Sequence, residues 1–213
     1  VEDPSRYGLV ETGESGEILQ LLEKPKPEDL AELGVNTINA GIYILEPSIL
    51  DLIKMGENHS FEYEVFPKIL EKKMPFYAYI MTGEYWRDIG TPASYLEAHH
   101  DFLDGTIKGF DIDRSGNSDI ATAAVIDSAS VIGEDCVIKP NAHITNSVIG
   151  PGVSIEEKAV VKNSIVWAHT RIASAAEISD AIIGRSCHIG RNAFVTAGTV
   201  LGDKTALTDY TKV

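Results

Sequence analysis

Between Ile126 and Leu201, aliphatic residues return in steps of six or five. They are Ile126, Ile132, Ile138, Ile144, Ile149, Ile155, Val161, Val166, Ile172, Ile178, Ile183, Ile189, Val195 and Leu201. Neither the 3.6-residue period of a helix nor the two-residue alternation of a strand gives that spacing. The steps group as two sixes and a five, a lap of 17 residues, and a fixed internal period marks a solenoid. Three faces per lap predict a triangular prism of short parallel strands, each lap hydrogen-bonded to the next at about 4.8 Å. The fifth residue of each six-residue unit is small or β-branched: Ser130, Cys136, Ala142, Val153, Ala159, Thr170, Ala176, Cys187, Ala193 and Thr199. An inside corner has room for little more. In the five-residue units the same count falls on Val148, Ile165 and Ile182. Gly133, Asn141, Gly150, Asn163, Gly184 and Gly190 mark turns, where positive φ is expected. A β-sandwich would not keep one register through such a run.

The first hundred residues show shorter patterns. "YGLVE" and "EILQLLEK" read as two strands around the turn "TGESGE". "INAGIYIL" is a continuous apolar run and reads as a buried strand; "FYAYIM" reads as another. Pro47 opens a short helix through Ile53. Residues 61–72 read as a helix with Glu62 and Glu64 early and Lys68 and Lys72 late, matching the helix dipole. Thr91 caps a helix that Pro92 begins and Gly105 ends. Residues 111–119, "DIDRSGNSD", have linker composition. Mixed strands and helices ahead of the repeat indicate an α/β or α+β segment.

Charge narrows the partners. The net charge is −14, with 20 acids and 9 bases in residues 1–110 and 12 acids and 9 bases beyond. A nucleic-acid backbone needs a positive face, which this chain lacks. No apolar run approaches the roughly 18 residues of a membrane span. The start is acidic, carries no Met and is unlike a secretory signal; a fragment or processed chain is expected. Cys136 and Cys187 lie 51 residues apart, three laps of the repeat. Three strand spacings amount to roughly 14 Å, beyond the roughly 7 Å Cα separation a disulfide tolerates. Both are expected as free buried thiols, in a reducing, cytoplasmic compartment.

Four stretches carry chemistry: "VEDPSRYG" (1–8), "EKP" (23–25), "NAGIYI" (39–44) and "YWRDIGTP" (85–92). In this order and at these distances they resemble the second half of a sugar-1-phosphate nucleotidyltransferase. With a hexapeptide repeat behind them, the chain resembles mannose-1-phosphate guanylyltransferases, with thymidylyl- and uridylyltransferases of glucose 1-phosphate as near relatives. The resemblance implies a partial Rossmann-like α/β core over 1–110, a linker over 111–119, and a left-handed parallel β-helix over 120–213. It implies transfer of a nucleotide from an NTP to a sugar 1-phosphate, most simply GTP and mannose 1-phosphate, with release of pyrophosphate. It also implies Mg²⁺ and a homo-oligomer built through the β-helix.

Within that resemblance Lys24 is a cation for the sugar phosphate and Glu23 an acceptor for vicinal sugar hydroxyls. Asn39 offers both a donor and an acceptor. Gly41, without a Cβ, admits a sugar ring close to the backbone. Tyr7 and Gly8 form the loop beside the sugar, and Trp86 walls the site. Asp88 matches the carboxylate that holds catalytic Mg²⁺, an ion content with one or two carboxylates plus phosphate oxygens. Arg87 is expected to point away. The Gly-rich loop that holds the triphosphate in the family, and its second metal-binding Asp, do not occur in these residues. Two other classes compete. A hexapeptide acyltransferase would use an interfacial His, but His143, His169 and His188 share no column of the repeat. A non-catalytic regulatory subunit of the same architecture would not need Lys24 and Asp88.

Overall fold

The repeat folds into three parallel sheets of five, five and six strands, each strand two or three residues long. The computed structural model describes residues 4, 6–26, 28, 34–110 and 117–213. The expected linker therefore lies mostly outside the described residues, as does part of the first motif. The chain divides into two compact units, Val1–Trp86 and Arg87–Val213.

In the second unit every aliphatic position read from the sequence is the inward member of its strand. One sheet aligns Ile126, Ile144, Val161, Ile178 and Val195. The next aligns Ile132, Ile149, Val166, Ile183 and Leu201. The third extends the repeat by one strand at each end: Ile120, Ile138, Ile155, Ile172, Ile189 and Leu207. The stacked columns form one continuous core. Cys136 and Cys187 are buried and free, as the lap arithmetic required.

Two details differ from the sequence reading. In the five-residue units the inside corner belongs to Ser147, Ser164 and Ala181, all buried. Val148, Ile165 and Ile182 instead begin the following strands. The omitted residue comes from the corner, so the small side chain arrives one position earlier. The buried hydroxyls are used: Ser147 N–H donates to Ser130 Oγ, Ser164 N–H to Ser147 Oγ, and Ala181 N–H to Ser164 Oγ, each at 3.1 Å. The second difference concerns glycine. From Asp135 onward positive φ falls on one residue per corner, including Asp135, Asn141, Asn146, Asn163, Ala175, Asp180 and Asn192, and Gly133, Gly150, Gly184 and Gly190 are not among them. Those glycines lie under the next lap: a Cβ on Gly150 would come within 2.8 Å of Ala168 N. Close approach, not backbone handedness, excludes side chains there.

The same unit contains a helix, α2, Pro92–Leu103. Thr91 Oγ1 accepts from Ser94 N–H, and Ser94 Oγ accepts from Thr91 N–H, a reciprocal capping box. Gly105, at φ +81°, follows its end. Clefts lie where α2 meets a solenoid face; one of about 370 Å³ is lined by residues including Tyr95, His99, Phe102, Val131 and Val148. The His99 ring meets Trp167 edge-on at 6.3 Å.

In the first unit β1, Leu9–Thr12, pairs antiparallel with β2, Ile18–Leu22. A 3₁₀ turn, Pro47–Leu52, and a π turn, Phe61–Val65, precede α1, Phe66–Glu71. Ile49, Val65, Phe66 and Ile69 form its core, with Leu21, Tyr43, Leu45 and Phe76 packed against them. "INAGIYIL" and "FYAYIM" are not strands. Each makes a single bridge, Leu9 to Ile38 and Glu17 to Tyr77. Ile42, Ile44, Tyr77, Tyr79 and Ile80 are exposed. A strand exists only beside another strand, and among the described residues the pairing of these segments with the β1–β2 hairpin does not continue past those single bridges.

Candidate functional site

The local fold of the first unit gathers the second and third motifs. β1 follows Gly8, and the Gly8 carbonyl accepts the Asn39 N–H at 2.7 Å. β2 delivers Glu23 to the same place. A Cβ on Gly8 would lie 2.6 Å from Glu23 Oε2 and 3.5 Å from Asn39 Cβ. Gly8, Glu23 and Asn39 are therefore one cluster, and the absence of a side chain at Gly8 is what admits the Glu23 carboxylate. Gly8 is buried; Glu23 and Asn39 are half-buried.

Tyr7 and Trp86 stand together as well. Their rings meet edge-to-face at 5.4 Å, and the Trp86 indole N–H donates to the Ala40 carbonyl at 3.3 Å. Trp86 is thus tied to the segment carrying Asn39. Gly41 has φ +74°, a conformation that alone accounts for glycine. Its N–H donates to Asn39 Oδ1 at 3.0 Å. Nothing lies within 4 Å of the place a Cβ would occupy, so that side of the backbone is open. Lys24 has φ +47° and is exposed.

Asp88 belongs to the second unit. It is exposed, and its Oδ1 accepts the Gly90 N–H at 3.2 Å. Arg87 turns instead onto α2. Its Nε donates to Asp101 Oδ2 at 2.7 Å and its Nη1 to Glu97 Oε2 at 2.6 Å. Among the described residues, no three His, Cys, Asp or Glu side chains stand together as a metal cluster. The chemistry of Asp88 suits Mg²⁺ all the same: an exposed carboxylate can join phosphate oxygens and water around a hard cation.

The sequence did not point to Tyr43 and Glu62. The Tyr43 hydroxyl lies 2.7 Å from Asn39 Nδ2 and 2.9 Å from Asn39 Oδ1. It lies 3.2 Å from Glu62 Oε1, while Ser60 Oγ donates to Glu62 Oε2 at 2.9 Å. Burial pushes the Tyr43 phenol above its ordinary pKa; the Asn39 hydrogen bond opposes this and the charges of Glu62 and Glu23 add to it. The Glu62 carboxyl is held below the usual range, first by a backbone hydrogen bond of its own residue, against burial, and further by Ser60 and Tyr43. Tyr43 sits four residues after Asn39 in "NAGIYI", the only trace of this link in the sequence; Glu62 is 19 residues beyond.

Residues 1–105 match the Nucleotidyl transferase family model, and residues 112–213 match the EIF2B subunit epsilon LbH domain. The chain is a nucleotidyltransferase segment followed by a parallel β-solenoid. The solenoid is of the left-handed β-helix kind that the second match describes. Mannose-1-phosphate guanylyltransferase 1 of Arabidopsis thaliana is 38% identical over 145 residues, covering 68% of this chain and 38% of that protein. The mannose-1-phosphate guanylyltransferase catalytic subunit beta of Drosophila melanogaster is 36% identical over 136 residues, 64% of this chain and 35% of that protein. A UTP–glucose-1-phosphate uridylyltransferase of Synechocystis sp. is 39% identical over 108 residues, 51% of this chain and 27% of that protein. The chain thus spans well under half the length of these relatives. They agree on sugar-phosphate nucleotidyl transfer and differ in sugar and nucleotide. No helix among the described residues of the nucleotidyltransferase segment or the solenoid unit is long and apolar enough to cross a membrane.

Proposed function

We propose that this chain supplies the sugar-phosphate side of a nucleotidyl transfer in which the phosphate oxygen of a sugar 1-phosphate attacks the α-phosphorus of an NTP in line, yielding a nucleotide sugar and pyrophosphate. GTP and mannose 1-phosphate are the preferred pair, with glucose 1-phosphate and UTP or dTTP as the alternative. The observation that carries this reading is the convergence of Gly8, Glu23 and Asn39 in one cluster beside the Tyr7–Trp86 pair. A carboxylate and a carboxamide in one cluster offer acceptors and a donor for sugar hydroxyls. The aromatic pair gives the apolar face of a sugar ring a surface to lie on.

The reaction needs positioning and charge neutralisation more than covalent help. Glu23 and Asn39 hold the hexose hydroxyls, Gly41 leaves the ring room, and Lys24 meets the sugar phosphate. Asp88 would hold Mg²⁺, and that ion would supply positive charge to offset the phosphates. The domain division proposed is 1–110 for the nucleotidyltransferase segment, 111–119 for the linker and 120–213 for the β-helix. The β-helix serves self-association through its flat faces, in a cytoplasmic protein. A second reading, a non-catalytic subunit, is favoured by the match of residues 112–213 to the EIF2B subunit epsilon LbH domain.

The test is pyrophosphate release in a chimera that adds the remaining part of the Arabidopsis relative to this chain, with each NTP and sugar phosphate in turn. Turnover is expected with GTP and mannose 1-phosphate. Asp88→Asn should lower it by about 100-fold or more, the scale of one key electrostatic contact. A chimera that binds sugar phosphate without turnover would favour the non-catalytic reading, and wild-type rates in Asp88→Asn would remove Asp88 from the metal.

A further inference from the structure

The Asn39 carboxamide can present two different faces to a ligand, depending on which way it is turned and which of its hydrogen bonds are already committed. Its surroundings leave one answer. Gly41 N–H is a donor only, and at 3.0 Å it requires the oxygen, Oδ1, on its side. That sends Nδ2 toward the Tyr43 hydroxyl at 2.7 Å. The phenol has a single proton and two candidate acceptors, Asn39 Oδ1 and Glu62 Oε1. An ionised carboxylate cannot donate and makes the stronger, charge-assisted bond. The proton therefore goes to Glu62, and the phenol oxygen accepts from Nδ2. Ser60 Oγ, donating to the other Glu62 oxygen, keeps that carboxylate in place. Ser60 itself is fixed by accepting the Tyr63 N–H at 3.2 Å at the start of the π turn.

We infer that Tyr43 and Glu62 are positioning residues that hold the Asn39 carboxamide in the orientation its Gly41 bond selects, leaving it one N–H and one oxygen lone pair for an incoming ligand. A one-way run of bonds, Gly41 to Asn39 to Tyr43 to Glu62, replaces a freely flipping amide with a fixed donor–acceptor pair. That pair suits two neighbouring hydroxyls, one accepting and one donating. The identity of the ligand as a sugar 1-phosphate rests on the function proposed above; the orientation of Asn39 does not. The device also gives the π turn a purpose. It brings Ser60 and Glu62 to the end of the run, Glu62 being 19 residues beyond Tyr43, and Phe61 and Phe66 of the same segment pack on the Tyr43 ring.

The experiment is side-chain amide NMR of the ¹⁵N-labelled 213-residue chain, free and titrated with mannose 1-phosphate or glucose 1-phosphate. Wild type, Tyr43→Phe, Glu62→Gln and a control, Tyr79→Phe, are compared. Tyr43→Phe keeps the ring that packs on Phe66, and Glu62→Gln keeps the shape of the carboxylate. In the free chain, a shifted and exchange-protected Asn39 Nδ2 pair is expected in wild type and control, moving toward ordinary solvent-exposed values in Tyr43→Phe and measurably in Glu62→Gln. Mannose 1-phosphate binding should weaken about 5-fold to 10-fold in Tyr43→Phe, the scale of one neutral hydrogen bond, and not at all in the control. If wild type binds neither sugar phosphate while the amide responds as described, the positioning stands and the sugar reading falls. If wild type binds and both variants match it in amide shift and affinity, the positioning falls and the sugar reading stands.

Discussion

Ser147 has almost no access to solvent, yet it carries a hydroxyl inside a prism of aliphatic side chains. It makes two useful bonds, accepting Ser164 N–H at 3.1 Å and donating to the Thr145 carbonyl at 2.7 Å. A short corner leaves a backbone N–H facing inward, and the serine below it satisfies that donor. Ser147→Ala should therefore destabilise the solenoid by about 1–3 kcal/mol, the cost of an unpaired buried group, as measured by denaturant unfolding. A change below about 0.5 kcal/mol, the range of an ordinary surface substitution, would show that the ladder contributes nothing. Asn39 shows the same logic in the first unit. A polar side chain is assigned its role by the partners that fold around it, and those partners were not evident from its own neighbours in sequence.

Each lap of the solenoid has three corners, and from Asp135 onward each corner places one residue in the left-handed region. Asn and Asp occupy many of these positions because a short polar side chain tolerates that conformation. Several also stack: Asn146 Nδ2 donates to Asn163 Oδ1 at 3.2 Å, and Asn163 Nδ2 donates to Asp180 Oδ1 at 3.1 Å. Ala175, at φ +56°, has neither advantage. Ala175→Gly should raise stability by about 0.5–1 kcal/mol, since relief of left-handed strain outweighs the added freedom of the unfolded chain. A lowered midpoint would mean that the Ala175 methyl packs usefully. The repeat period was legible because one aliphatic per face is a condition that every lap must meet. The corner chemistry was less so: a glycine can satisfy either a left-handed φ or a close approach, and only the stacking of Gly150 under Ala168 tells the two apart.

The two compact units have separate cores. The solenoid gains a hydrogen-bonded neighbour for every strand, whereas the first unit leaves Ile42, Ile44 and Tyr79 exposed outside any strand. The two tryptophans report on them individually, Trp86 in the first unit and Trp167 in the second. Fluorescence of Trp167→Phe, which follows Trp86, should show a lower urea midpoint than fluorescence of Trp86→Phe, which follows Trp167. Coincident midpoints for the two probes would mean that the molecule unfolds as one cooperative body. The likeness to nucleotidyltransferases, by contrast, was readable at this scale from four short motifs ahead of the repeat, because their order along the chain survives even where single residues are ambiguous.

Taken alone, the sequence determined the β-solenoid, its register, its free cysteines and its kinship with nucleotidyltransferases. These follow from periodicity and motif order, which are local or strictly repeated properties of the chain. Tertiary structure decided the rest. The apolar runs at 38–45 and 76–81 remained outside any strand and part-exposed because a strand depends on a neighbour that no single segment specifies. Glu23 reached Gly8 because β1 and β2 pair, and Asn39 reached it because its N–H bonds the Gly8 carbonyl. Tyr43 found Glu62 because the Phe61–Phe66 segment packs on the Tyr43 ring. Each is a contact between residues distant in sequence, and its energy arises only once the chain has closed the distance.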